Sequence, residues 1–323
     1  MIGIFPWNVL AATLLVVTSC LHGVHAFQAV GPTFCRGGNS RISPCSPALL
    51  SSPTESSSVD GAFASVVQGR YACKSFQRFD GEVGNQTAAS KGDPKVVAMA
   101  LKCLDLARQA PSAFNTQPYK LLVVESPDKK LAMSQYCLGP NRQRVLDADC
   151  SVVFLADRHV LRSIPRLQLF LRSTSGREPN RRMEWITYLY ITIFSSGLPL
   201  PRAIASLMTF IIRSCVAAIH VFSSRLFHYP LPSLASAETW TSKQATMVAM
   251  TYMLACSSCQ LATIPMEGIN ARGIRRVLGI PSRYAIPLVV ATGKPREEQP
   301  HRTQRYPADE IIFLDSLGQA ATV

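Results

Sequence analysis

From Trp240 to Gly268 the chain reads WTSKQATMVAMTYMLACSSCQLATIPMEG. From Glu238 onward Met247, Val248, Met250, Thr251, Leu254, Ala255 and Leu261 recur at three- and four-residue spacing. That period predicts a buried helix of about six turns. Ile264-Pro265 is read as its stop, because proline disfavours helical backbone in the residue before it. Pro265-Met266-Glu267-Gly268 is then a tight polar turn, and Gly268 lets backbone approach something flat with no side chain in the way.

Around this stretch lies a chain of 323 residues, long enough for one large domain or two ordinary ones. With 47% apolar and 16% charged residues it fits a protein with a large core or one touching a membrane. A net charge of +13 raises the question of nucleic acid. Its distribution argues against that partner: nine arginines and two glutamates fall between residues 160 and 235, so +7 of the +13 lies in one segment. No aromatic-interleaved basic groove accompanies it, and an anionic surface or cofactor suits the charge better. The ten cysteines do not form a disulfide pattern. Cys20, Cys35 and Cys45 fall in the leader, and most others sit in apolar patterns as small buried hydrophobes. Cys256-x-x-Cys259 reads as two core thiols on a helix face rather than a redox pair, and nothing has zinc-ligand spacing.

Residues 1–26 hold no charged side chain apart from histidine and contain an apolar run at 9–17, a signal-peptide pattern that ends at Val24-His25-Ala26. Residues 27–64 are rich in serine and proline, with Arg36 and Arg41, and read as a transit peptide and linker. Ala26-Phe27 resembles the junction of bipartite plastid presequences. The expected destination is a plastid reached through the secretory route, the alternatives being the secretory pathway itself or a membrane. The folded domain is expected at 65–318, with a helical excursion at about 160–235. Inside it, 183–226 carries long uncharged runs broken by Gly197, Pro199, Arg202 and Arg213. Three readings stay open there: a cap packing on a second subunit, a pair of helices lying on a membrane surface, or a span.

Elsewhere the order of elements is legible. Asp93-Pro94 opens a helix with the stripe Val97, Leu101, Leu104, Ala107. Strands are expected at 120–124, 151–156 and 285–292, the last with Pro287 marking an edge or entry position. Ser126-Pro127 begins a short helix. Asn270 and Gly279 bracket another, and 311–314 looks like a final strand.

Four stretches together resemble the FMN-dependent nitroreductases. They are Arg70-Tyr71-Ala72-Cys73-Lys74; Pro111-Ser112-Ala113-Phe114-Asn115-Thr116-Gln117-Pro118-Tyr119; Asn141 with Arg144; and Trp240-x-x-Lys243-Gln244 followed by Pro265-Met266-Glu267-Gly268. The tail Thr303-Gln304-Arg305 is similar to that family's last phosphate contact. The resemblance implies an α+β fold: a central, mainly antiparallel sheet flanked by helices, with the C-terminal strand exchanged in a homodimer. It implies FMN as cofactor and NAD(P)H as co-substrate. Arg70, Ser112, Asn115 and Arg305 would meet the phosphate, with Ala72 standing where the family has serine. Gln117 would meet the ribityl chain, and Asn141, Arg144 and Lys74 the pyrimidine side of the ring. Pro265, Met266, Glu267 and Gly268 would bring backbone amides to the ring edge. Lys74, Glu267 and Gly268 would then serve catalysis directly, in a ping-pong reduction of nitroaromatics, quinones or related small acceptors. The departures also admit a flavin-binding protein that relays electrons at a membrane surface.

Overall fold

The computed structural model describes residues 61–80, 88–163, 235–296 and 303–319, with isolated helical positions between 204 and 218. All belong to one compact unit, Val59–Val323. The leader at 1–26, most of 27–64 and nearly all of the 160–235 excursion lie outside the described residues, so the three readings of 183–226 do too.

Four strands form one sheet: β1 (Tyr119–Val124), β2 (Cys150–Asp157), β3 (Ala262–Met266) and β4 (Tyr284–Gly293), in the order β1-β2-β4-β3 and antiparallel throughout. Helices cover both faces. On one lie α2 (Pro94–Ala107) and α5 (Ala237–Ser258); on the other lie α3 (Pro127–Ser134), α4 (Asn141–Asp147) and α6 (Ala271–Val277), while α1 (Ala62–Gly69) precedes the first site segment. β2 explains why this sandwich forms. Val152, Phe154 and Ala156 join the core under α2 and α5, and Val153 and Leu155 join the opposite core. A strand buried on both faces needs apolar residues at every step rather than alternate ones, and Val152 to Ala156 supply them.

The α+β expectation therefore holds, with four local corrections. First, α5 ends at Ser258, before Ile264. The amide of Gln260 donates to Ser257 and that of Leu261 to Cys256, the paired bonds of a Schellman terminus, with Gln260 left-handed at φ 58°. A non-glycine residue in this conformation costs about 1 kcal/mol, and the stop is set by this terminus, not by proline. Second, Pro265 and Met266 lie in β3, so only Glu267 and Gly268 form the turn after it. Third, the buried face of α5 is Thr241, Gln244, Ala245, Val248, Ala249, Tyr252, Met253 and Cys256; Met247 and Met250 are exposed, as is Leu101 on α2. Both helices are apolar well beyond the stripe their own core uses, so periodicity could not say which part faces inward. Fourth, Pro287 sits in a central strand. It is tolerated because the β2–β4 register slips between Phe154 and Ala156, and because β3 pairs only as far as Val289. Proline has no amide to donate, and a bulge is where none is required.

The helix starts follow the sequence closely. The Asp93 carboxylate accepts from Lys95 N at 2.9 Å, and the Asn270 side chain accepts from Gly273 N at 3.1 Å. Gly279 takes φ +67° after α6, as expected of a residue just past a helix end. Ser126 precedes α3 without a side-chain cap bond, the proline at N1 starting the helix instead. In the single chain 311–314 is not a strand: a 3-10 turn at Ala308–Glu310 precedes it, and Ile311, Ile312 and Leu314 are exposed.

Candidate functional site

The first site segment is fixed by backbone. Cys73 N donates to Thr263 O at 3.0 Å, and Ala72 bridges Thr263 in parallel, which lays residues 70–74 along the outer edge of β3. Cys73 turns into the core, so its neighbours Ala72 and Lys74 turn outward and are exposed; Arg70, at the C-cap of α1, is half-buried. Two cations thus flank the strand that ends in Met266, which is buried, with Pro265 and Glu267 exposed beside it.

A second group closes on the same turn. Leu138 N donates to Gly268 O at 2.9 Å, and Asn141 Nδ2 to the same oxygen at 3.3 Å. Arg144 Nη1 donates to Asn141 Oδ1 at 2.7 Å. A Cβ on Gly268 would lie 3.1 Å from Asn141 Nδ2, so glycine here admits the asparagine as well as leaving the turn bare. α6 holds the turn from behind: Asn270 N donates to Tyr136 O at 2.7 Å, and Gly273 packs where a Cβ would overlap the Tyr136 ring. The guanidinium of Arg144 is half-buried, and its Nε is buried with no hydrogen-bond partner. Burial pushes the Cys73 thiol up, with a hydrogen bond to the Ser75 backbone and the Arg144 charge pulling the other way. A buried donor left over on a cation that is otherwise well held is what an absent anionic or carbonyl-bearing ligand would satisfy.

The 111–118 loop forms a third group. Phe114, Asn115 and Gln117 all take positive φ, at 54°, 53° and 44°. Left-handed non-glycine residues in succession are costly and concentrate where a loop serves a ligand. They are held by a small network: Asn115 N to Ser112 O, Gln117 N to Ser112 Oγ at 3.0 Å, and Gln117 Nε2 to Asn115 Oδ1 at 3.1 Å. The buried Gln244 of α5 clamps the loop by accepting from Ala113 N at 2.9 Å. The sequence singled out Gln244 only as part of a spacing; its signal was a polar side chain on a buried helix face, which must find a partner.

Four predicted residues, Ser112, Asn115 and Gln117 of the loop and Arg305, are not gathered with the rest. The loop enters β1 while residues 70–74 and 267–268 border β3, and these strands are opposite edges of the sheet, about 14 Å apart at three inter-strand spacings. Arg305 donates to the carbonyls of Thr303 and Gln304 in its own exposed segment, at 3.2 and 3.3 Å, and to neither cation-bearing group. Among the described residues no cluster of histidine, cysteine or carboxylate could hold a metal ion, and no helix is long and apolar enough to cross a membrane.

Solved structures with this fold are known. A Staphylococcus epidermidis protein described as an NAD(P)H:FMN oxidoreductase aligns over 78% of this chain and 95% of its own, with TM-score 0.56 and 17% identity. A nitroreductase-type structure from Exiguobacterium sibiricum, in complex with FMN, aligns over 79% and 97%, with TM-score 0.51 and 16% identity. The fold is nitroreductase-like. The model of the nitroreductase family matches residues 207–294, which takes in α5, the Glu267–Gly268 turn, α6 and the whole of β3 and β4. It begins inside the excursion, where the motifs read from the sequence had run out. An NADH dehydrogenase of Thermus thermophilus is 24% identical over 221 residues, 68% of this chain and 87% of its own length. On this nitroreductase-like fold, the three groups of residues stand on the two edges of the central sheet and at its common end.

Proposed function

We propose that the protein is a flavin-dependent oxidoreductase of the nitroreductase type, with FMN held by Arg70, Lys74, Asn141, Arg144 and the Glu267–Gly268 turn. The observation that carries this reading is the buried, unpartnered Nε of Arg144, set beside a glycine turn that Asn141 holds open. Bound there, FMN would supply the hydride chemistry, taking reducing equivalents from NAD(P)H and passing them to a nitroaromatic, a quinone or a related acceptor in a ping-pong cycle. The chain supplies position and charge. Arg70 offers a planar, always-charged fork for a phosphate. Lys74 and Arg144 set positive charge where an anionic reduced ring would need it, and the bare turn admits a flat ligand.

The separation of the 111–118 loop from β3 argues for a homodimer. Ser112, Asn115 and Gln117 reach such a site if a second copy brings its β1 edge to the first copy's β3 edge, and Arg305 if the exposed tail crosses over. The apolar residues that the single chain leaves outside fit this reading: Met247, Met250, Leu101, Leu106, Ile311 and Leu314.

The test is the visible spectrum of the purified protein. A flavin band that NADH or NADPH bleaches under anaerobic conditions, with quinone-dependent turnover, is the expected result. A colourless protein that FMN cannot reconstitute would defeat the reading; tight FMN without turnover would favour the electron-relay alternative, which Ala72 motivates. The leader is proposed to deliver the protein to a plastid by the secretory route. A fluorescent reporter fused behind residues 1–64 should reach the organelle in a plastid-bearing host, and a reporter left in the cytosol would discard that proposal.

A further inference from the structure

Where α2 crosses the end of α5, three thiols from two distant segments meet. Cys103 Sγ lies 4.0 Å from Cys259 Sγ, across a sequence separation of 156 residues. Cys256, one turn earlier on α5, interacts electrostatically with the same Cys103 thiol. Cys103 and Cys256 are buried, at 1% and 0% exposure, and Cys259 is exposed. The sequence offered only Cys256-x-x-Cys259, two core thiols on one helix. The fold adds Cys103 from α2 and places it within reach of the exposed member.

We propose that Cys103 and Cys259 form a hydroperoxide-responsive disulfide pair that staples α2 to the C-terminus of α5. Solvent reaches Cys259 first. Its thiolate attacks one peroxide oxygen, the O–O bond breaks, and Cys259 becomes a sulfenic acid as the departing hydroxide takes a proton to give water. The Cys103 thiolate then attacks the Cys259 sulfur. The S–S bond forms as the S–O bond breaks, and this second hydroxide is also protonated to water. Two thiols have lost two electrons, and hydrogen peroxide has gained them as two waters.

Three features of the structure suit the second step. The neighbouring Cys256 and Cys259 thiols outweigh burial and draw the Cys103 thiol below its ordinary value, which favours it as the attacking partner. Cys256 is pushed strongly up, by the Cys103 sulfur and by burial, and stays protonated. The sulfurs must close from 4.0 Å to a bond of about 2.05 Å. Cys259 can move because it is the C-cap of α5, at φ −97° and ψ 14°, already outside the helix proper. The first step is slower, since burial and the Cys103 charge hold the Cys259 thiol above its ordinary value, so excess peroxide is required.

The experiment treats the full-length protein with excess hydrogen peroxide, then alkylates, digests and maps its thiols. The expected product is a Cys103–Cys259 cross-linked peptide with a mass loss of about 2 Da, reversed by dithiothreitol. The Tm should rise by about 5 °C on oxidation, because a cross-link across so long a loop constrains the unfolded chain. Cys103→Ser should abolish the link and leave a Cys259 sulfenic acid that dimedone traps, whereas Cys256→Ser should keep the link. A Cys256–Cys259 link, a stable Cys259 sulfenic or sulfinic acid in the wild-type chain, or thiols that stay fully alkylatable would each overturn the proposal.

Discussion

Arg144→Ala is expected to weaken FMN binding by about 100-fold, measured by quenching of flavin fluorescence on the apoprotein. Two losses add. The guanidinium is hydrogen-bonded to the asparagine that lies against the open turn, and its unpartnered Nε is the donor the ligand would satisfy. It also orients Asn141 through the 2.7 Å bond to Oδ1, and Asn141 in turn donates to Gly268 O. Removing it frees the asparagine to fold across the turn. Arg144→Lys restores the charge without the planar fork and should recover only part of the affinity. The fold should survive, because the cores on either side of the sheet do not use this side chain. An unchanged dissociation constant in the alanine variant would remove Arg144 from the site and leave its buried Nε without an explanation.

Lys130→Met is expected to cost about 3 kcal/mol of stability at pH 7, read by urea unfolding. Lys130 is fully buried on α3, and its ammonium donates to the carbonyls of Ser90, at 2.8 Å, and Ala148. It thereby ties the segment before α2 to the start of β2. Methionine fills the space but leaves two buried acceptors unpaired and removes the positive charge that faces Asp149. Asp149 is itself structural: it accepts from Asp93 N at 2.7 Å and from Lys294 N at 3.3 Å, joining the starts of α2 and β2 to the end of β4.

The same lysine carries a pH signature. Burial pushes its pKa down to about 8, against the attraction of Asp149. An unfolded chain holds the proton up to about 10.4. Between those values the unfolded state binds more protons than the folded one, so this group makes stability rise with pH across the window, by up to about 3 kcal/mol. Below pH 8 the cost of burying the charge is present in full. Subtracting the methionine variant from the wild type isolates the effect from other groups that titrate there. A difference that does not change between pH 7.5 and pH 10 would show that folded Lys130 keeps its proton throughout that window.

Much of this protein follows from local chemistry that a sequence carries openly. Asp93-Pro94 and Asn270 start helices because a carboxylate or amide side chain satisfies amides that a helix start leaves bare. Gly279 ends one because left-handed backbone suits glycine. The run 152–156 is a two-faced strand because it carries an apolar side chain at every step. Asn141 and Arg144, three apart on a short helix, fall on one side of it, and the structure puts them against Gly268 as that spacing allows. These are relations within a few residues, where the chain's own geometry decides the outcome.

What spans the fold was decided elsewhere. Which face of α5 is buried could not be read from a helix with apolar residues nearly all round, and the sheet and α2 chose Tyr252 and Met253 over Met247 and Met250. Gln244 became a clamp only when the 111–118 loop arrived beneath it, and Cys256-x-x-Cys259 gained its third thiol only because α2 crosses there. Lys130 is buried because Ser90 and Ala148, 40 and 18 residues away, accept from its ammonium. The division of the site between the two edges of the sheet depends on strand order, which no short motif contains. Propensity and capping act through neighbours along the chain, and the sequence by itself determines them. Burial, pairing and charge shifts depend on residues brought together from far apart, and only the tertiary structure decides those.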